Sequence, residues 1–163
     1  MVKDGLLVSI PRKGLTVRKI TPEVQDEIFL LRSAIEVESV KKLTQEITTP
    51  EQLRLLKLIL KQQEEALQND DAISFIRLDH DFHLSLTRLA NFTIIEQVLN
   101  NLHNLTQLMG LKAVSKHGRM KNVLMEHNQI IQALEEKNPE LASQAILNHL
   151  EKTKETLIIV DNS

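Results

Sequence analysis

Apolar residues recur at three- and four-residue spacing along most of the chain and divide it into six segments of helical period separated by turn chemistry. Thr21-Pro22 supplies an N-cap and a proline at the first helical position, opening a helix that runs to about Ile47 with Ile28, Ile35 and Leu43 on its inward stripe. Thr49-Pro50-Glu51-Gln52 reads as a capping box for a second helix to about Gln68, striped with Leu53, Leu56, Leu60 and Leu67 and purely structural in character. Asn69-Asp70-Asp71 caps a third helix that stops around Ala90-Asn91. A fourth, from about Phe92 to Val114, carries Ile94, Ile95, Val98, Leu102, Leu105 and Met109 on one side and a row of amides on the other. Ser115-Lys116-His117-Gly118 breaks the pattern, a fifth helix follows to about Lys137, and Asn138-Pro139-Glu140 caps the sixth. Residues 1–20 read differently. Leu6–Ile10 and Leu15–Ile20 are short β-leaning runs around the turn Pro11-Arg12-Lys13-Gly14, which predicts one small hairpin that is marginal by itself. The expected fold is all-α, an antiparallel bundle of about six helices preceded by a short β-hairpin.

Composition supports that class. The chain has 163 residues, enough for one domain with a real core, and only four Gly, four Pro and four Phe, with neither Tyr nor Trp. No apolar run approaches bilayer length and the N-terminus has no signal-peptide core, so a cytoplasmic protein without a membrane partner is expected. The absence of Cys removes disulfides and thiolate metal sites, leaving His, Asp and Glu as the available ligands. The net charge of −2 hides an asymmetry: residues 1–20 carry +4 and the remainder −6. A basic tip on an acidic body suits either a solvated tail or a nucleic-acid arm.

Three of the helical faces carry chemistry where packing alone would place none. At roughly 100° per residue, Asp79 falls near the centre of the stripe formed by Ala72, Phe75, Ile76, Phe82 and Leu86, and His83 lies one turn on along the same face. His80 and Asp81 fall toward the rim. His127 is central to the apolar face of Met120, Val123, Leu124, Ile130, Ile131 and Leu134, and His149 sits among small residues, Ala142 and Ala145, with Thr153 and Thr156 on its other side. A buried unpaired carboxylate costs several kcal/mol or takes up a proton, so Asp79 calls for a partner. Asp79, His83, His127 and His149 together offer one oxygen and three imidazole nitrogens, donors suited to a divalent metal, with Zn or Ni first in line. On the first helix Arg32 and Glu36 are spaced i,i+4 on the inward stripe. They read either as an ion pair at the core edge or as an Arg facing a cavity that takes a carboxylate.

Arg32-x-x-x-Glu36, then Asp79-x-x-Phe82-His83 followed by Asn91, then Glu126-His127 with Ile131-x-Ala133-Leu134, then Ala145-x-x-x-His149, resembles the ligand-sensing FCD domain of the FadR subfamily of GntR transcription regulators, over residues 21–163. Six helices rather than seven resembles the VanR-type branch. The resemblance implies a metal-binding, effector-sensing and dimerisation domain. Asp79, His83, His127 and His149 would hold the ion, a small organic acid would reach it from a cavity with Arg32 and Glu36, and the protein would be a homodimer without enzymatic activity. Asp4-Gly5-Leu6-Leu7 and Pro11-Arg12-Lys13-Gly14-Leu15-x-Val17 are similar to the end of the recognition helix and the wing of the GntR winged-helix domain. Residues 1–20 are then a remnant of that wing and linker, Arg12 and Lys13 its DNA-binding side chains, and tight operator binding by this chain alone is not expected. Two departures stand out: Phe92 follows Asn91 where the family commonly has Pro, and the fourth helix lacks Arg or Lys residues that many members carry.

Two other readings fit the same pattern. A three-His, one-Asp site could activate water in a metal-dependent hydrolase, but Asp81 and Glu126, the available bases, sit roughly 100° or more from the inward direction. A structural helical dimer without a metal would instead make the His cluster a polar network.

Overall fold

The computed structural model describes residues 20–46 and 49–161, together with the backbone of two short strands at 7–10 and 14–17. The strands β1 (Leu7–Ile10) and β2 (Gly14–Val17) pair antiparallel, with Leu7 opposite Val17 and Ile10 opposite Gly14, as the hairpin expectation requires. Arg12 and Lys13 lie outside the described residues. Seven helices follow: α1 (Pro22–Glu46), α2 (Pro50–Gln68), α3 (Ala72–Leu89), α4 (Thr93–Asn101), α5 (His103–Val114), α6 (Arg119–Glu135) and α7 (Pro139–Asp161). The all-α bundle is as expected.

The extra helix comes from a break in the segment 92–114. Leu102 sits at φ −84° and ψ −5°, and its N–H is shared between the regular i−4 carbonyl of Val98 at 3.3 Å and the i−3 carbonyl of Leu99 at 3.1 Å, a tightened turn between two helices. Asn100, Asn101 and Asn104 flank the break, and asparagine is a weak helix former. The break also changes which face is covered. Leu99, Met109, Ala113 and Val114 are buried, whereas Ile94 is 75% exposed.

The remaining boundaries follow local chemistry. Asp71 Oδ1 accepts from the Ser74 N–H at 3.0 Å, and Asn138 Oδ1 from the Leu141 N–H at 3.0 Å, capping α3 and α7. Helices α2, α3 and α6 each end on a left-handed residue, Asp70, Asn91 and Lys137, at φ 53°, 57° and 52°. In each case the next N–H reaches back to an orphan carbonyl: Asp71 to Ala66, Phe92 to Thr87, Asn138 to Ala133. Asp and Asn tolerate that conformation better than Lys does.

α1 packs along α7 and α3, α6 lies between α7 and α2, and α3 contacts α2 and α5. Phe75, Phe82, Leu86, Ile130, Leu134, Ile146, Leu150 and Leu157 are essentially inaccessible and form the central core. Gly110 on α5 allows close approach to α3, since a Cβ there would lie 3.0 Å from Ile76 Cδ1. Side chains of α3, α6 and α7 meet through the rings of Phe82 and His83, His127 and His149.

Lys137→Gly should remove the left-handed strain at the end of α6 without touching the core. Stability against urea is expected to rise by about 1 kcal/mol; an unchanged or lower midpoint would contradict the strain argument.

Candidate metal centre and adjoining cavity

Each of the three inward histidines is oriented by a side chain from another part of the bundle. His83 Nδ1 lies 2.5 Å from Glu36 Oε2 of α1, His149 Nδ1 lies 2.8 Å from Glu126 Oε2 of α6, and His127 Nδ1 lies 2.9 Å from Gln63 Oε1 of α2. The Gln63 amide is itself oriented, because its Nε2 donates to the Phe75 carbonyl at 3.4 Å. All three partners are oxygen acceptors, so each Nδ1 carries the proton and donates. In the neutral ring Nε2 is then the nitrogen that carries the lone pair.

Those lone pairs meet. His83 Nε2 and His149 Nε2 are 3.1 Å apart, His127 Nε2 lies 3.4 Å from Asp79 Oδ1, and His83 Nε2 lies 3.9 Å from Asp79 Oδ2. One ligand atom from each of Asp79, His83, His127 and His149 falls within 4.8 Å of every other. His127 Nε2 is buried without a hydrogen-bond partner. Phe82 stacks on the His127 ring at 4.1 Å between centroids and fixes its plane. Four acceptor atoms converging out of water repel one another unless something positive lies between them. The donor set and the orphaned nitrogen fit a divalent cation.

The electrostatics around the centre match this arrangement. Burial alone would raise Glu36, but the Arg32 guanidinium at 2.7 Å and His83 outweigh it and hold the carboxyl down at about 2. Burial also opposes ionisation of Glu126, and His149 and Arg119 overcome it and lower its pKa. Desolvation pushes His127 well below its usual range, with His149 and His83 adding to the effect, and it lowers His149 despite the hydrogen bond to Glu126. Burial thereby favours the neutral form of His127 and His149, the form that ligates.

The expected and observed site residues differ at several positions. Asp79, His83, His127 and His149 come together. Arg32 and Glu36 are both buried and both line a small cavity beside Asp79 and His83, of about 20 Å³, shared with His80, Thr106 and Gln107. Glu36 has both oxygens committed, one to Arg32 and one to His83, so its role is to orient the histidine and neutralise the arginine. Periodicity set Glu126 away from the inward direction, yet it is 4% exposed, buried between α6 and α7 because Arg119 compensates its charge. His80, expected at the rim, is half-buried and meets His103 edge-on at 4.1 Å, with burial and His103 lowering its pKa to about 4. Asp81 is exposed, as expected. Gln63 escaped the sequence reading because a glutamine in a leucine-striped helix carries no signal until its partner is known. Arg119 escaped because its pattern places it at the very start of a helix.

For the metal-free protein the linkage has one sign throughout. His127, His149 and His80 have folded pKa values below 6.5, so the stability they contribute is full above that pH and is lost as pH falls through it. Glu36, lowered from 4.5 to about 2, contributes stability that is lost between those values. Urea midpoints measured stepwise from pH 8 to pH 3 should fall in two stages, and His127→Gln should reduce the first stage. A midpoint flat between pH 7 and pH 5 would contradict the neutral buried imidazoles.

Residues 27–152 match the FCD domain family. Among relatives of known sequence, the HTH-type transcriptional regulator YdhC of Bacillus subtilis is 28% identical over 148 residues, covering 90% of this chain and 66% of the relative. The HTH-type transcriptional repressor RspR of Escherichia coli is 25% identical over 158 residues, covering 96% and 68%. The chain thus spans about two thirds of the length of these relatives. Among solved structures, a GntR transcriptional regulator from Rhodococcus sp. RHA1 superposes with a TM-score of 0.82 at 23% identity, over 96% of this chain and 74% of that one. McbR/YncC of E. coli superposes with a TM-score of 0.78 at 19% identity, over 99% and 79%. No helix among the described residues is long and apolar enough to cross a membrane. With most of its length matched, the chain belongs to the FCD domain family.

Proposed function

We propose that the chain is the effector-binding and dimerisation part of a cytoplasmic GntR/FadR-type transcription regulator, and that it senses a small organic acid at a metal-floored cavity. Its relatives are transcription regulators, which supports a regulatory role over an enzymatic one. The observation that carries the metal reading is the convergence of three Nε2 lone pairs and the Asp79 carboxylate on one point. Asp79, His83, His127 and His149 would hold the ion, Zn or Ni by donor type, and Glu36, Gln63 and Glu126 would orient the three imidazoles. A bound cation supplies positive charge with open coordination positions, to which a carboxylate oxygen is a suitable ligand.

Arg32 lines the cavity together with Asp79 and would receive a carboxylate there, its charge partly balanced by Glu36. Residues 1–20 are read as the tail of the winged-helix domain, with Arg12 and Lys13 on its wing, and DNA would be reached through the rest of that domain in a homodimer. Metal and acid would bias the relative placement of two such domains, a coupling in the linkage sense. The hydrolase alternative loses its general base, since both Glu126 oxygens are taken by Arg119 and His149 and Asp81 is exposed.

Protein purified without an affinity tag or chelator should contain close to one divalent ion per chain. Added Zn²⁺ or Ni²⁺ at about a hundredfold over Kd should stabilise the metal-free form by roughly 2.7 kcal/mol. His127→Ala should abolish that response and His80→Ala should keep it. A melting temperature that ignores both ions, or a response lost in His80→Ala and retained in His127→Ala, would refute the assignment.

A further inference from the structure

The three inward imidazoles are not held alike. His83 and His149 each donate Nδ1–H to a carboxylate, Glu36 and Glu126, and each carboxylate is itself paired with a buried guanidinium, Arg32 or Arg119. His127 donates instead to the amide oxygen of Gln63 at 2.9 Å, and that amide is held by the Phe75 carbonyl at 3.4 Å. Gln63 and His127 are both fully buried. The ring whose Nε2 has no partner is thus the one whose outer nitrogen meets no charge.

A carboxylate behind a metal-ligating imidazole raises the basicity of the ligating nitrogen, and such outer partners are worth about 10–100-fold in metal affinity. A neutral amide fixes the tautomer and the plane of the ring without adding that basicity. The surroundings of residue 63 suit an amide, because its Nε2 donates to a backbone carbonyl and an ionised carboxylate has no proton to offer there. Charge works in the same direction. The buried charged side chains at the centre are Arg32 and Arg119 against Glu36, Glu126 and the partly buried Asp79, a net −1 that becomes +1 with a divalent ion. A carboxylate at position 63 would bring the loaded centre to zero and add an uncompensated charge to the empty one.

Resting on the reading of Asp79, His83, His127 and His149 as a metal site, we propose that Gln63 is a positioning residue that sets how tightly the ion is held. Its neutral oxygen keeps His127 aligned yet leaves it a weaker donor than His83 and His149. The ion is then bound exchangeably, and occupancy of the site follows the supply of the metal.

Zn²⁺ uptake by the unmodified chain is measured first. A chain that takes up no metal removes the reading beneath this proposal, and the proposal falls with it. Zn²⁺ affinity, and the rate of Zn²⁺ release to a chelator, are then compared at pH 8 for the unmodified chain, Gln63→Glu and Gln63→Leu. Gln63→Glu should bind about tenfold or more tighter and release its ion correspondingly more slowly, whereas Gln63→Leu, which frees the ring to turn, should bind about tenfold or more weakly. A merely structural role for Gln63 would weaken binding in both variants. NMR of the unmodified Zn-loaded chain decides the matter even where a variant does not fold. There the Nδ1–H proton of His127, bonded to a neutral oxygen, should resonate upfield of the corresponding protons of His83 and His149. Equal or weaker Zn²⁺ binding by Gln63→Glu, unchanged binding by Gln63→Leu, or a His127 Nδ1–H as far downfield as the other two would overturn the proposal.

Discussion

Three imidazoles held with Nδ1 hydrogen-bonded outward and Nε2 facing inward are the constraint around which this bundle is arranged. Two of them approach to 3.1 Å, nitrogen to nitrogen, beside a carboxylate. Nothing in the packing of leucines demands this. It is imposed by Glu36, Glu126 and Gln63, which accept the Nδ1 protons and thereby decide which tautomer each ring adopts. Because those acceptors come from α1, α6 and α2 while the imidazoles come from α3, α6 and α7, one local requirement ties five helices together. The cluster gains its order at the expense of mutual repulsion, which is the condition a cation relieves.

The charges that make this possible are nested. Glu36 is kept ionised by Arg32 and Glu126 by Arg119, so each buried carboxylate has a buried guanidinium. Removing one arginine would leave a carboxylate uncompensated, and the cheapest response would be for that carboxyl to take up a proton. A protonated carboxyl could then donate to Nδ1, reverse the tautomer and turn a lone pair away from the centre. The arginines are thus coupled to His83 and His149 through two hydrogen bonds each, Arg32 by way of Glu36 and Arg119 by way of Glu126.

How far the sequence led depended on whether the relevant signal was periodic. Asp79, His83, His127 and His149 each sit at the centre of an apolar stripe, so helical period alone was enough to turn them inward, and the caps at Asp71 and Asn138 marked where their helices begin. What orients them was not periodic. Gln63 occupies a helix whose leucines explain it completely, and Glu126 sits at an angle where an unpaired carboxylate belongs in solvent. Arg119, seven residues earlier and brought beside it by the start of α6, and His149 from α7 together offset its burial. The break at Leu102 was equally silent, because the apolar pattern runs through it without a proline or glycine.

That break matters for the site as well as for the fold. A continuous helix through 93–114 would carry one stripe past the core, whereas the change of direction at Leu102 lets α5 lie against α3 with Gly110 closing on Ile76. α5 then supplies Thr106, Met109 and Gly110 to the cavity beside Asp79, while α4 leaves Ile94 and Val98 uncovered on the outside. Ile76 and Thr106 border both small cavities, as do Arg32 and Asp79. A displacement of α5 away from α3 would therefore open both at once. The α3–α5 contact is thus a wall common to both cavities, and α5 adjoins α4 at Leu102.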